Sequence, residues 1–242
     1  MLRFNSNGFR FRQTVLATGL LAASGLAHSA ELDVTVQNLT QGIYFTPILV
    51  SAHSSDASLF ELGETATTEL QAMAEGGDIS GLAASTEALS ANNVSNPAEG
   101  LLAPAMSTTA SLSTDEGNDV LSIVAMMLPT NDGFIGLDNW SIPEEAGTYT
   151  LYLNAYDAGT EANDEIRGSG APGEAGLPVP PPLEDLVGNN GTGVAATISN
   201  ANVHIHPGNI GDDDGMGGLS DVDNTVQRWL NPVAKVTVVI SE

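Results

Sequence analysis

Alternation of apolar and polar residues with a period of two is the feature that most restricts the fold of this chain. In "ELDVTVQNLT", which starts at Glu31, the apolar residues Leu32, Val34 and Val36 occupy every second position. This spacing is typical of a strand with one buried face. Similar runs recur to the end of the chain, separated by Gly, Pro, Asn and Asp. We therefore expect an all-β fold, an antiparallel β-sandwich of about eight strands.

Two regions depart from the strand pattern. Residues 54–104 are rich in Ala, Glu, Ser, Thr and Leu, with breaks at Gly63, Gly76 and Gly77, which predicts a short helical insertion. Residues 167–193 form a Gly/Pro-rich loop, whose "PVPPP" segment we expect to be stiff and extended. Further strands are expected on both sides of this loop, including one over "GVAATISNANVHIHPG".

The first 30 residues have the layout of a secretory signal peptide. Arg3, Arg10 and Arg12 precede an apolar run over residues 15–26, and small residues follow at Ser29 and Ala30. Cleavage after Ser29 or Ala30 would leave a single domain over residues 31–242. The run is shorter than the roughly 20 apolar residues of a membrane span, so we expect an exported protein without a transmembrane anchor, periplasmic or extracellular.

Charge and cysteine content exclude several classes of function. Without the first 30 residues the chain carries 30 acidic against 3 basic side chains, which disfavours nucleic acid and anionic lipid as partners. Such acidity indicates either cation binding or solubility in salt, and charge alone does not separate the two. The chain contains no cysteine, so thiol catalysis, disulfides and cysteine-ligated metals are excluded.

Catalytic motifs are missing from the sequence, and histidine ligation has limited support. There is no G-x-S-x-G, no H-E-x-x-H and no phosphate-binding loop. In "VHIHPG", His204 and His206 lie two apart and share one face of an extended strand, where two imidazoles can chelate a transition metal. No third ligand is evident nearby, so polar residues at a strand end remain the alternative.

Oxygen ligation has more support. In "LYLNAYDAGTEANDE" a strand pattern ends at Asp157, and Glu161 follows four residues later across Gly159, where a turn would direct both carboxylates to one point. Calcium is bound by six to eight such oxygens. We assign Asp164 and Glu165 to the surface.

A third acid is expected from a neighbouring loop, and two segments supply candidates. One is "LPTNDGFIGLDNW", with Asp132 and Asp138. The other is "GDDDGMGGLSDVDN", which lacks the Glu of a helix-loop-helix calcium loop and is more typical of a solvated acidic loop. Its acids are Asp212, Asp213, Asp214, Asp221 and Asp223.

Three segments together resemble the spondin domain, the amino-terminal domain of F-spondin and mindin and of many exported bacterial proteins. They are "PTNDGFIGLDNW", "LYLNAYDAGTE" and "HPGN" followed by "WLNPVAKVTV". The resemblance implies a β-sandwich similar to calcium-dependent lipid-binding sandwiches, with one calcium ion at its loop end. It also implies that the metal ligands are Asp132, Asp157 and Glu161.

The sequence departs from the family at identifiable positions. Animal members usually have Asp where this chain has Glu161, Trp where it has Gly133, and cysteines that are absent here. The resemblance implies a non-enzymatic calcium-binding adhesion or binding module whose protein or glycan partner is unknown. The alternatives are an exported enzyme or carbohydrate-binding module that uses a His/Asp metal site, and a purely structural acidic sandwich.

Overall fold

The computed structural model describes residues 29–241, which form an antiparallel sheet with two short helices. Most of the predicted signal peptide, residues 1–28, lies outside the described residues. The helices are α1 (Thr68–Gly76), α2 (Ser80–Glu87) and a 3-10 turn (Pro181–Leu183). The strands are β1 (Glu31–Asn38), β2 (Tyr44–Phe45), β3 (Leu49–His53), β4 (Asn92–Ser95), β5 (Ser107–Ser113), β6 (Val120–Leu128), β7 (Gly133–Ser141), β8 (Gly147–Asp157), β9 (Arg167–Gly168), β10 (Leu177–Pro178), β11 (His204–Ile205) and β12 (Ala234–Ser241).

The main sheet is continuous and nearly closes on itself. Its order is β4-β3-β6-β7-β8-β12-β1-β5, with β2 added to β6 and β11 to β8. The edge strands β4 and β5 approach each other, and the Asn92 side chain exchanges two hydrogen bonds with Asp115, just after β5. The predicted all-β antiparallel fold with about eight strands is confirmed, and the strands of the expected sandwich belong to one curled sheet.

The interior of the curl is filled by the alternating apolar residues of the strands. Leu32 and Val34 of β1 are buried and lie opposite Ile240 and Val238 of β12. Burial of such side chains is the main favourable term in folding, at roughly 25 cal/mol per Å² of apolar surface. The alternation read from "ELDVTVQNLT" and "VAKVTVVISE" therefore corresponds to two neighbouring strands of one core.

The β6 strand is buried along its whole length because the helical insertion covers its outer face. Val124 and Met126 pack there against Leu70 and Met73 of α1. The predicted insertion over 54–104 does contain both helices, and Gly77 ends α1 with a φ of +72°. The composition did not predict that the insertion also supplies β4, which extends the sheet beyond β3.

Two local predictions were wrong. The strand expected over "GVAATISNANVHIHPG" is reduced to β11, because β12 pairs with β8 as far as Leu153 and β11 adds only to Tyr156 and Asp157. The "PVPPP" segment is not extended throughout, since Pro181–Leu183 form a 3-10 turn. The surrounding Gly/Pro-rich loop also contains β9 and β10, which pair in parallel.

Candidate metal centre

The ends of β6 and β8 bring the predicted ligands to one end of the sheet. Asp132 lies in the turn between β6 and β7, Asp157 ends β8, and Glu161 lies four residues further on. Gly133 pairs with Asp157 between β7 and β8, and the Ala158 N–H donates to the Asp132 carbonyl at 3.2 Å. Asp132, directly before β7, and Asp157, at the end of β8, are therefore neighbours.

The segment "DAGTE" turns around the Asp132 carboxylate. The turn directs the backbone N–H groups of Thr160 and Glu161 at Asp132 Oδ2, at 2.8 and 3.1 Å. Gly159 has a φ of +72°, and a Cβ there would lie 2.7 Å from the Ala201 carbonyl carbon. Both the conformation and the space require glycine. The predicted turn is present, and an acid from the neighbouring loop lies at its centre.

Amide groups from outside the predicted set hold the other two carboxylates. Asn131 Nδ2 and the Gly176 N–H donate to Glu161 Oε2 at 3.2 and 3.0 Å. Asn163 Nδ2 donates to Asp157 Oδ2 at 2.6 Å. Sequence reasoning missed these three donors. Of the three, only Asn131 could have been identified from the sequence, because it lies directly before Asp132 in the "TNDG" motif.

The three carboxylates are buried, and within the described residues the basic group at ion-pair distance is His204, whose Nδ1 lies 3.7 Å from Asp157 Oδ1. Asp132, Asp157 and Glu161 are 0%, 2% and 7% exposed. Burial raises the pKa of Asp132 to about 7, the charge of Asp157 adds to this, and the amide donors partly offset it. Burial likewise raises the pKa of Glu161 to about 7. Among residues 29–241 no Lys or Arg forms an ion pair with any of the three.

Two oxygens of this cluster have no hydrogen-bond partner. They are Asp132 Oδ1 and Glu161 Oε1, both buried. Leaving a buried polar atom unpaired costs about 1–3 kcal/mol, and more for a charged group. Carboxylate oxygens are the ligands that calcium prefers, so the chemical type of these residues suits a calcium ion. In the described part of the chain, however, no three His, Asp or Glu side chains already surround a metal position. The carboxylates would have to turn to enclose an ion.

The two histidines lie next to this cluster, and their hydrogen bonds leave a free ring nitrogen on only one of them. His204 pairs with Asp157 across β8 and β11, and its Nδ1 lies 2.8 Å from the Asn202 carbonyl, which requires a proton on Nδ1. His206 is 4% exposed, and its Nδ1 accepts from the Gly208 N–H. Burial lowers the pKa of His206 to about 4, so its neutral ring carries the proton on Nε2. His206 therefore has no free lone pair, and its Nε2 has no hydrogen-bond partner among the described residues. His204, protonated on Nδ1, keeps a free lone pair on Nε2, which is the arrangement of a histidine that can bind a metal.

Glu165 was wrongly assigned to the surface. It is 3% exposed, and its carboxylate accepts hydrogen bonds from the backbone N–H groups of Ile210 and Gly211 and from the Ser220 hydroxyl. Its role is to anchor the loops that follow β11. Asp164 is half-buried and accepts from Asn131 Nδ2 at 2.8 Å, so it also lies close to the cluster.

The acidic loop at 212–223 is only partly solvated. Asp213 and Asp214 are exposed, as predicted. Asp221 is 2% exposed, and its two oxygens accept from the N–H groups of Gly191 and Arg167, both at 2.8 Å. Asp138, the other candidate third acid, lies on β7 and accepts from the Leu59 N–H, away from the cluster.

One comparison with known proteins, a match to a family model, agrees with the sequence motifs. No helix among residues 29–241 has the length and apolar content needed to span a membrane. A search of curated proteins finds no match to the chain.

The family model described as Spondin_N matches residues 37–169, more than half of the chain, and the match includes Asp132, Asp157 and Glu161. The protein therefore belongs to the spondin N-terminal domain family.

Proposed function

We propose that this protein is an exported calcium-binding module, periplasmic or extracellular, in which Asp132, Asp157 and Glu161 hold one calcium ion. Spondin N-terminal domains are non-catalytic, extracellular modules of binding or adhesion type. The calcium ion and the export signal go beyond family membership, and the residues of this chain support them.

One observation carries the calcium proposal. Buried Asp132 Oδ1 and Glu161 Oε1 have no hydrogen-bond donor, and the cluster has no Lys or Arg partner among the described residues. Buried charges in proteins are normally paired or coordinate a metal. A divalent cation would supply both the missing partner and the missing positive charge.

The ion would act by fixing loops. Asp132 precedes β7, Asp157 ends β8, and Glu161 is bonded to the Gly/Pro-rich loop through the Gly176 N–H. Joining these three segments would order one end of the sheet and present it to a partner. An ion that binds only the folded state stabilises it by about 2.7 kcal/mol at 100 times its dissociation constant.

Thermal unfolding with calcium and with a chelator tests the proposal. We expect calcium to raise the unfolding temperature of the native chain and to leave that of Asp157→Asn unchanged. Asp213→Asn, which removes an exposed acid of the 212–223 loop, is the matched control and should respond like the native chain. Equal unfolding temperatures of the native chain in calcium and in chelator would support the purely structural alternative.

A further inference from the structure

Arg228 differs from the other basic residues of the described chain. Residues 29–241 contain three, Arg167, Arg228 and Lys235. Arg167 is paired with Glu184 at 2.8 Å and donates to carbonyls of its own loop. Arg228 is exposed and has no carboxylate within ion-pair distance among the described residues. Its Nε donates to the Ile210 carbonyl, which leaves the rest of the guanidinium free to bind a partner.

This side chain borders an open hollow with apolar walls. The hollow has a volume of about 580 Å³ and lies between loops 207–210 and 228–230. Leu230, on its rim, is 87% exposed, the highest value of any large hydrophobic residue in the described chain. Ile210 is 56% exposed. The lining consists of Pro207, Asn209, Ile210, Arg228, Trp229 and Leu230.

Packing and hydrogen bonds tie the loops that form the hollow to the rest of the fold. Trp229 is 9% exposed and packs on the His206 ring, with centroids 5.0 Å apart. Asn209 Nδ2 donates to the carbonyls of Pro129 and Gln227 at 3.0 and 3.1 Å, and Pro129 lies three residues before Asp132. A surface ordered before binding loses less conformational entropy when a partner docks. One wall of the hollow is therefore hydrogen-bonded to the loop that carries Asp132.

We propose that this hollow docks a polypeptide segment that carries a carboxylate next to an apolar side chain. The free guanidinium edge would bind the carboxylate, and Leu230, Ile210 and Trp229 would cover the apolar group. Arg and Trp are the residues most enriched where interfaces gain their energy. The charge of Arg228 is complementary to a carboxylate on the segment. The acidic surface elsewhere repels such a segment, so its binding should depend on contact with Arg228, whereas a basic segment would be attracted to the 212–223 loop.

The inference rests on the proposed function as a binding module, but not on the calcium ion. Selection of displayed random peptides against the full chain tests it, followed by affinity measurement of the enriched sequences as synthetic peptides. We expect the enriched peptides to pair Asp or Glu with Leu, Ile or Phe. Their affinity should fall about tenfold or more in Arg228→Gln and in Leu230→Ser.

The control variant is Leu219→Ser, which removes another exposed leucine, 58% exposed, from the acidic loop. It should keep native affinity, and all three variants should keep the native calcium response, which separates a failure here from a failure of the metal proposal. Enrichment of basic peptides, no enrichment, or affinity unchanged in both hollow variants would overturn the proposal. So would a dimer in sedimentation that Leu230→Ser dissociates, or phosphatidylserine vesicle binding that the same change abolishes.

Discussion

Two acidic regions of this chain differ in how completely hydrogen-bond donors satisfy their carboxylates. In the 212–223 loop, backbone N–H groups satisfy both oxygens of Asp212: Oδ2 accepts from Leu219 and Ser220, and Oδ1 accepts from Asp214. In the cluster at the ends of β6 and β8, Asp132 Oδ1 and Glu161 Oε1 accept from no donor.

The pKa values follow this difference. Hydrogen bonds from the N–H groups of Ser220 and Leu219 lower the pKa of Asp212, whereas burial raises the pKa of Asp132 to about 7. Backbone N–H groups also donate to Asp132 Oδ2, so the two regions differ in the buried oxygens that are left without any donor. In this chain the density of acids is a poor guide to the candidate cation site, and buried carboxylate oxygens that lack donors are a better one.

The largest expected effect comes from removing charge within the cluster. In chelator at pH 8 we expect Asp132→Asn to be more stable than the native chain, because an amide replaces a carboxylate that is buried without a cation. The same variant should gain nothing from calcium. Chemical denaturation with and without calcium measures both, and a variant less stable in chelator that still responds to calcium would contradict the comparison.

The second effect is a pH dependence of calcium binding. The raised pKa values of Asp132 and Glu161, both about 7, mean that calcium must displace protons below that pH. Affinity should rise with pH up to about 8 and fall below 7, by up to about tenfold per pH unit for each proton displaced. Calorimetry in buffers of different ionisation enthalpy would detect this proton release, and its absence at pH 6 would contradict the assignment.

The same shifts determine the stability of the metal-free protein. A carboxyl whose pKa is higher in the folded state than in the unfolded state stabilises the folded state most at low pH. For Asp132 and Glu161 that contribution is lost as pH rises from about 4 through 7. His206, with a pKa lowered to about 4, acts oppositely, because its contribution is lost as pH falls below its ordinary value. Measuring the unfolding free energy of the native protein and of Asp132→Asn across pH separates the contribution of the Asp132 carboxylate from that of His206.

A third, smaller effect is expected in the loops anchored by Glu165. Its carboxylate accepts three hydrogen bonds, and a glutamine there would direct an N–H₂ group at some of the same donors. We expect Glu165→Gln to cost about 1–3 kcal/mol of unfolding free energy and to retain the calcium response. Urea denaturation with and without calcium would check this, and loss of the calcium response would place Glu165 among the ligands.

The smallest effect is expected at the exposed acids. Asp213→Asn should change the unfolding free energy by less than about 0.5 kcal/mol, because nothing in the fold depends on that side chain. A large loss of calcium-dependent stability in this variant would indicate that the ion binds in the 212–223 loop.

The regular strands could be predicted from the sequence because their alternation is local. Leu32, Val34 and Val36 indicate a buried face by themselves, and β1 is present as expected. The length of β11 could not be predicted, since it depends on how far β12 pairs along β8.

In the candidate metal centre, too, local features could be predicted from the sequence and long-range contacts could not. Asp157, Gly159 and Glu161 lie in one short segment, so the turn was predictable. The donors to Glu161 come from Asn131, 30 residues earlier in the chain, and from Gly176, 15 residues later. Long-range donors of this kind also explain why Glu165 was misassigned: its partners lie 45 to 55 residues further along the chain.

A crystal structure of the protein grown with calcium tests the central claim most directly. The account predicts one ion between the loop after β6 and the loop after β8, coordinated by oxygens of Asp132, Asp157 and Glu161. No ion at that position, or an ion held only by the aspartates of the 212–223 loop, would contradict it.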